Sequence, residues 1–112
     1  MKKVDCIVRP DVLEEVKAEL NKIKIHGMTV SQVFGCGLQK GKKEIYRGEE
    51  IEISLLPKVK IEIVTDDSNV ESIVDAVTKV ARTGNVGDGK IFIYDIQDAI
   101  RIRTGERGEK AI

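Results

Sequence analysis

Thr83-Gly84-Asn85-Val86-Gly87-Asp88-Gly89-Lys90 is the stretch whose direction decides the fold. Three glycines in six positions, followed by a lysine, make a backbone that bends tightly and can aim several N–H groups at one anion. From Gly84 to Lys90 the spacing matches G-x-x-x-x-G-K, the phosphate loop of nucleotide hydrolases. Two features argue against that identity. The next residue is Ile91, where Ser or Thr should hold magnesium, and the loop leaves a helical pattern to enter a strand, the reverse of strand–loop–helix. The segment therefore reads as a phosphate cradle of another kind. The alternative is a glycine-rich turn with an incidental lysine.

Upstream of the loop, Val70, Ile73, Val74, Val77 and Val80 recur at helical spacing, and Ser68-x-x-Glu71 predicts a capping box. Downstream, Ile91-Phe92-Ile93-Tyr94 predicts a buried strand. Ile100-Arg101-Ile102-Arg103 alternates and is expected to send both guanidiniums to one side. The charged tail from Thr104 onward is expected to be mobile.

The first half repeats the same grammar. Val4, Cys6 and Val8 alternate with Asp5, Ile7 and Arg9, a strand stopped by Pro10 and Asp11. Asp11-x-x-Glu14 predicts a capped helix carrying Val12, Leu13, Val16, Leu20 and Ile23 and closed near Gly27. Met28, Val30, Gln32 and Phe34 form the next strand, alternating with Thr29, Ser31, Val33 and Gly35. From about Cys36 to Ser54 the pattern breaks into mixed charge and glycine, an unusually long connection for a compact domain. Such a loop is either functional or disordered, or else a hairpin extension without a role. From Leu55 to Val64 a strand resumes. In it Val59, Ile61 and Ile63 oppose Lys58, Lys60, Glu62 and Val64, and Pro57 marks an edge or a strand start.

Strand, helix, strand, strand, helix, strand predicts an α+β, ferredoxin-like split βαβ (βαββαβ) with a four-stranded antiparallel sheet and one domain over 1–112. Two helices cover one sheet face. The other, with Ile7, Val64 and the stems of Lys58 and Lys60, is left for another subunit.

Nineteen basic and nineteen acidic side chains give a formal net charge of zero. No global pull toward nucleic acid or anionic lipid follows, so an anion site must be built locally. Two phenylalanines and two tyrosines lack the aromatic pattern of an RNA-binding split βαβ. Cys6 and Cys36 lack metal or redox spacing, and His26 stands alone before Gly27 as a surface turn residue. The N-terminus reads as having no leader and no run approaches membrane length, so a reduced, cytoplasmic setting is expected. Lys90, Arg101 and Arg103 lie close in sequence to the loop and can converge on it. No general base is evident, which favours binding over hydrolysis; a nucleotide-hydrolysing enzyme and an RNA-binding module are the alternatives.

Taken together, GMTV at 27–30, QKG and EIYRGEE within 39–50, LPKVKIEIV at 56–64, TGNVGDGKIF at 83–92 and RIRTGE at 101–106 are highly specific. The sequence resembles the PII signal-transduction family along essentially its whole length. The resemblance implies a homotrimer with nucleotide sites in the clefts between subunits. It implies no enzymatic activity, competitive binding of ATP and ADP, and 2-oxoglutarate sensing through Mg2+ bridged to ATP. A long T-loop, about 37–55 here, would dock on targets.

Residue by residue, the resemblance makes Gly87, Asp88, Gly89 and Lys90 the phosphate-side loop, with Arg101 and Arg103 arriving from the neighbouring subunit. Thr29 and Val64 would frame the adenine, with Gly27 and Met28 close by and Glu62 near the ribose. Gly37 and Leu38 would also belong to the nucleotide site. Gln39 would complete the metal shell, and Lys58 would pair with the far carboxylate of 2-oxoglutarate. Lys40, Tyr46, Arg47, Glu50 and Ile51 would lie on the partner-facing loop. Implied partners are an ammonium transporter first, then glutamine synthetase, nitrogenase or a transcriptional regulator. Direct nucleic-acid contact is not expected, and membrane contact only through a partner. Ile51 stands where one branch carries a uridylylated tyrosine, and Glu49 where another carries a phosphorylated serine, so covalent switching at the tip is not expected. Leu38 replaces a frequent arginine, removing one phosphate contact.

Overall fold

A computed structural model describes residues 1–36, 44–46, 49–51 and 55–112, with the backbone alone for 44–46 and 49–51. Gly37, Leu38, Gln39, Lys40 and Arg47 lie outside the described residues. The element order is β1 (Lys2–Val8), α1 (Leu13–Lys22), β2 (Thr29–Cys36), β3 (Glu44–Tyr46), β4 (Glu49–Ile51), β5 (Leu55–Thr65), α2 (Val70–Ala81) and β6 (Gly89–Asp95). Four strands form one antiparallel sheet in the order β2-β5-β1-β6, and β3 pairs with β4 as a separate antiparallel ribbon. This is the expected ferredoxin-like arrangement, with β5 inserted between β1 and β2. Tyr46, Glu50 and Ile51 fall in the β3–β4 ribbon, so part of the broken 36–54 stretch carries strand pairing.

Register explains the two faces. Cys6 lies opposite Ile61 on one side and Ile91 on the other, so Val4, Cys6 and Val8 share a face with Val59, Ile61 and Ile63. Val16 and Leu20 of α1 and Ile73 and Val77 of α2 close over that face, and all of these residues are buried. Each fully buried Leu, Ile or Val contributes about 1.5–3 kcal/mol, and a one-residue slip would exchange this row for Lys3, Asp5 and Ile7. Burial pushes the Cys6 thiol up to about 12, with Asp5 adding to the effect, so this sulfur is structural. Pro57 is third in β5, beyond the last pairing of β5 with β1 at Val59, so its missing N–H breaks no ladder there.

Five details differ from the sequence reading. Neither Asp11 nor Ser68 caps a helix; each helix is entered through a 3-10 turn, Pro10–Val12 and Asp67–Asn69, without a side-chain cap. The first helix ends at Lys22, and Lys24 at φ 64 turns the chain before Gly27 is reached. The β6 strand is an edge strand rather than a buried one: Phe92, Ile93 and Tyr94 are 44%, 49% and 47% exposed, because the helices cover the centre of the sheet. The Ile100–Arg103 alternation forms no strand. Ile100 makes a single bridge with Arg107, and the chain between turns back with Gly105 at φ 72. Finally, the tail is folded down. Arg107 pairs with Asp98 at 2.7 Å, and Gly108–Ala111 forms a 3-10 turn. Among the described residues, no helix is long and apolar enough to cross a membrane.

Candidate anion-binding cleft

The glycine loop is shaped by its own acid. The Asp88 carboxylate accepts hydrogen bonds from the backbone N–H of Thr83 (2.7 Å) and Gly84 (2.8 Å) and from the Thr83 hydroxyl. Arg9, one residue past β1, adds a guanidinium N–H at 2.8 Å. The Thr83 hydroxyl and N–H bonds, with smaller help from Gly84 and Arg9, hold the Asp88 carboxyl down at about 2. Asp88 therefore stays ionised and is directed at the loop's start.

At the loop's end, Gly89 has φ +112, and a Cβ there would stand 1.9 Å from the Ile7 carbonyl oxygen. Only a bare backbone lets β6 begin this close to β1. Lys58 of β5 closes the third side, its ammonium donating to the Gly87 carbonyl at 2.9 Å. Gly35 lets the Lys58 stem pass, since a Cβ on it would lie 3.3 Å from Lys58 Cγ.

These constraints leave a cleft of about 430 Å³ walled by Ile7, Gly35, Cys36, Leu56, Val86, Gly87, Gly89 and Phe92, with Lys58 and Lys90. Among the described residues, the two lysines are the charged members of that wall and no acid lines it. A cleft with apolar sides, bare glycine backbone and two ammonium groups is suited to an anionic ligand carrying a flat or apolar part.

The described sequence-predicted residues fall into two groups at opposite ends of the sheet, with Arg101 and Arg103 apart from both. Gly87, Gly89, Lys90 and Lys58 meet in this cleft, whereas Asp88 lines a neighbouring cavity with Arg82, Gly89 and Lys90. Thr29 and Glu62 face each other across β2 and β5, toward the opposite end of the sheet, with Val64 beyond and Gly27 and Met28 just before β2. Four to six residues of β5 separate Lys58 from Glu62 and Val64, roughly 13–20 Å along a strand. Glu62 is engaged with Lys60 at 3.0 Å and Lys3 at 3.6 Å, and the Lys60 hydrogen bond lowers its carboxyl pKa. Arg101 pairs with Glu106 at 3.6 Å and Arg103 is exposed in the turn; neither lines the cleft of its own chain.

Two residues escaped the sequence reading. Arg9 is 79 positions from Asp88, and no local pattern links them. Asp5 occupies an outward position of β1, on the face expected to be left for another subunit, yet is 2% exposed within its own chain.

Comparison with known proteins agrees with this fold. The family model described as Nitrogen regulatory protein P-II matches residues 1–106. The Nitrogen regulatory protein P-II of Rhodospirillum rubrum is 53% identical over 112 residues, covering 100% of both chains. The solved structure of B. subtilis GlnK superposes with a TM-score of 0.84 at 45% identity, covering 99% of this chain and 97% of that one. The B. subtilis GlnK-ATP complex gives 0.82 at 42% identity, covering 99% and 96%. The chain belongs to the nitrogen regulatory protein P-II family.

Proposed function

We propose that this chain is a non-enzymatic signal transducer that binds ATP or ADP through the glycine-walled, two-lysine cleft. That cleft is the observation carrying the proposal: Gly89 admits only backbone, and Lys58 and Lys90 stand where negative charge would be received. The ATP-bound state of the B. subtilis GlnK relative adds support. The division of the site residues between two ends of the sheet supports a nucleotide shared by neighbouring protomers of a homotrimer. Thr29, Glu62 and Val64, with Gly27 and Met28, would come from one protomer and the glycine loop from the next. Arg101 and Arg103 would reach across from a neighbour. The exposed side chains of β6 and the open sheet face are the surfaces such an assembly would cover.

Magnesium fits the chemistry of its proposed donors, the Gln39 amide oxygen together with phosphate oxygens, both hard ligands. When bound, it would supply positive charge for phosphate and 2-oxoglutarate oxygens, and Lys58 would meet the far carboxylate of 2-oxoglutarate. Gly37, Leu38 and the 37–55 loop with Lys40, Tyr46, Arg47, Glu50 and Ile51 would then report the bound state to a target. An ammonium transporter is proposed first among targets, ahead of glutamine synthetase, nitrogenase or a transcriptional regulator, in a cytoplasmic setting. Each ligand shifts the loop only by its difference in affinity between loop states.

Titration calorimetry tests the reading. ATP binding should weaken roughly 10–100-fold in Lys90→Ala, the loss of one charge-assisted contact. Uptake of 2-oxoglutarate should require both ATP and magnesium and should vanish in Lys58→Ala. Absence of adenine-nucleotide binding, or sustained phosphate release from ATP, would overturn the proposal.

A further inference from the structure

A carboxylate is an odd neighbour for a cleft meant for phosphate. Asp88 lies between Gly87 and Gly89, both of which wall the cleft, and it stays ionised, so its bare charge would repel a polyanion. Its oxygens, however, are committed elsewhere. Oδ2 accepts from the N–H groups of Thr83 and Gly84, and Oδ1 accepts from the Thr83 hydroxyl and the Arg9 guanidinium. Thr83 is itself committed, its hydroxyl oxygen accepting from the Asn85 N–H at 3.2 Å. Arg9 is also anchored at its other side, donating Nε to Asp11 at 3.3 Å.

From this geometry we infer that Asp88 is a positioning residue rather than a phosphate contact, and that Arg9 and Asp88 together clamp the glycine loop in its anion-receiving shape. The inference rests on the nucleotide reading above and assigns Arg9 a role in it. Physically the clamp does two things. It ties the start of the loop to its end, fixing residues 83–88 before any ligand arrives, which removes an ordering cost from binding. It also sets a guanidinium on the one acid of the loop, so that among the described residues the charges left facing the cleft are those of Lys58 and Lys90. Arg9 lines a neighbouring groove with Pro10, Asp11 and Pro57, which shares Leu56, Lys58, Val86 and Gly87 with the cleft.

The sign of one substitution separates this role from simple charge. Asp88→Asn removes a negative charge beside the phosphates while keeping shape. If Asp88 acted only through its charge, ATP would bind more tightly. The clamp requires the reverse: an amide cannot accept at all these positions, the loop loosens, and ATP affinity falls roughly tenfold by calorimetry. Adenosine, which lacks phosphates, should change less than about twofold on the same reasoning. Arg9→Ala should act in the same direction as Asp88→Asn. In the ligand-free protein, amide exchange at Thr83 and Gly84 should quicken in both variants. Tighter ATP binding in Asp88→Asn, an equal loss for adenosine, or unchanged exchange at both amides would each overturn the clamp. Failure of the unaltered chain to bind ATP would instead strike the nucleotide reading, with the exchange measurement still deciding whether the clamp exists.

Discussion

Two acids of the chain, one in the glycine loop and one in the sheet, are partnered in opposite ways. Asp88, at the glycine-loop end, receives donors from Thr83, Gly84 and Arg9, all within its own chain. Asp5, in the middle of the open face, is 2% exposed, and its Oδ1 has no hydrogen-bond donor among the described residues. Its nearest cations are Lys3 at 3.5 Å and Lys60 at 3.8 Å, both also drawn to Glu62. A buried carboxylate needs near-complete satisfaction, since an unpaired buried acceptor costs about 1–3 kcal/mol. The loop end is finished by the single chain. The open face leaves its acid incompletely partnered within the described residues, with Val64, Phe92 and Tyr94 exposed around the ionic cluster.

The sharpest way to break the finished end is Gly89→Ala. Its Cβ would collide with the Ile7 carbonyl at a φ that L-residues avoid. A loss of about 3 kcal/mol in urea unfolding is expected, together with loss of ATP binding. Near-normal stability would mean that β6 can start elsewhere. On the open face, Asp5→Asn keeps the shape and removes the charge that holds Lys3 and Lys60. Destabilisation of about 1–2 kcal/mol is expected, with weaker self-association in sedimentation. A variant as stable and as associated as the parent would remove the contrast. The smallest effect is in pH. The Asp88 carboxyl is lowered from 3.8 to about 2, so its contribution is fully present above the unfolded value and is lost as pH falls through about 2. The Gly84 amide resonance should therefore stay fixed from neutral pH down to about 4 and move only near 2, whereas an early shift would show Asp88 to be unclamped.

Much of this molecule was legible from its letters where periodicity and burial coincide. The Val4–Cys6–Val8 and Val59–Ile61–Ile63 alternations, the α2 stripe and the glycine loop all stand where the pattern predicted. The capping boxes failed because each helix begins through a 3-10 turn, and near the second one the Asn69 amide is spent on Thr65 at 3.2 Å. The IRIR alternation misled because two left-handed glycines, Gly105 and Gly108, and the Arg107–Asp98 pair fold the segment on itself. Of the site, the glycines and lysines were readable as residue types suited to anions. The Arg9–Asp88 bond and the burial of Asp5 depend on strand register between distant segments, which no local window contains.

Cys6 and Cys36 are both free, one sealed beneath the helices with its thiol pushed up to about 12, the other exposed at the end of β2 on the cleft wall. Alkylating reagents therefore meet a single addressable sulfur in the folded chain. A fluorophore attached there needs no engineered cysteine, and it would sit on the rim of the crevice whose occupancy it is asked to report.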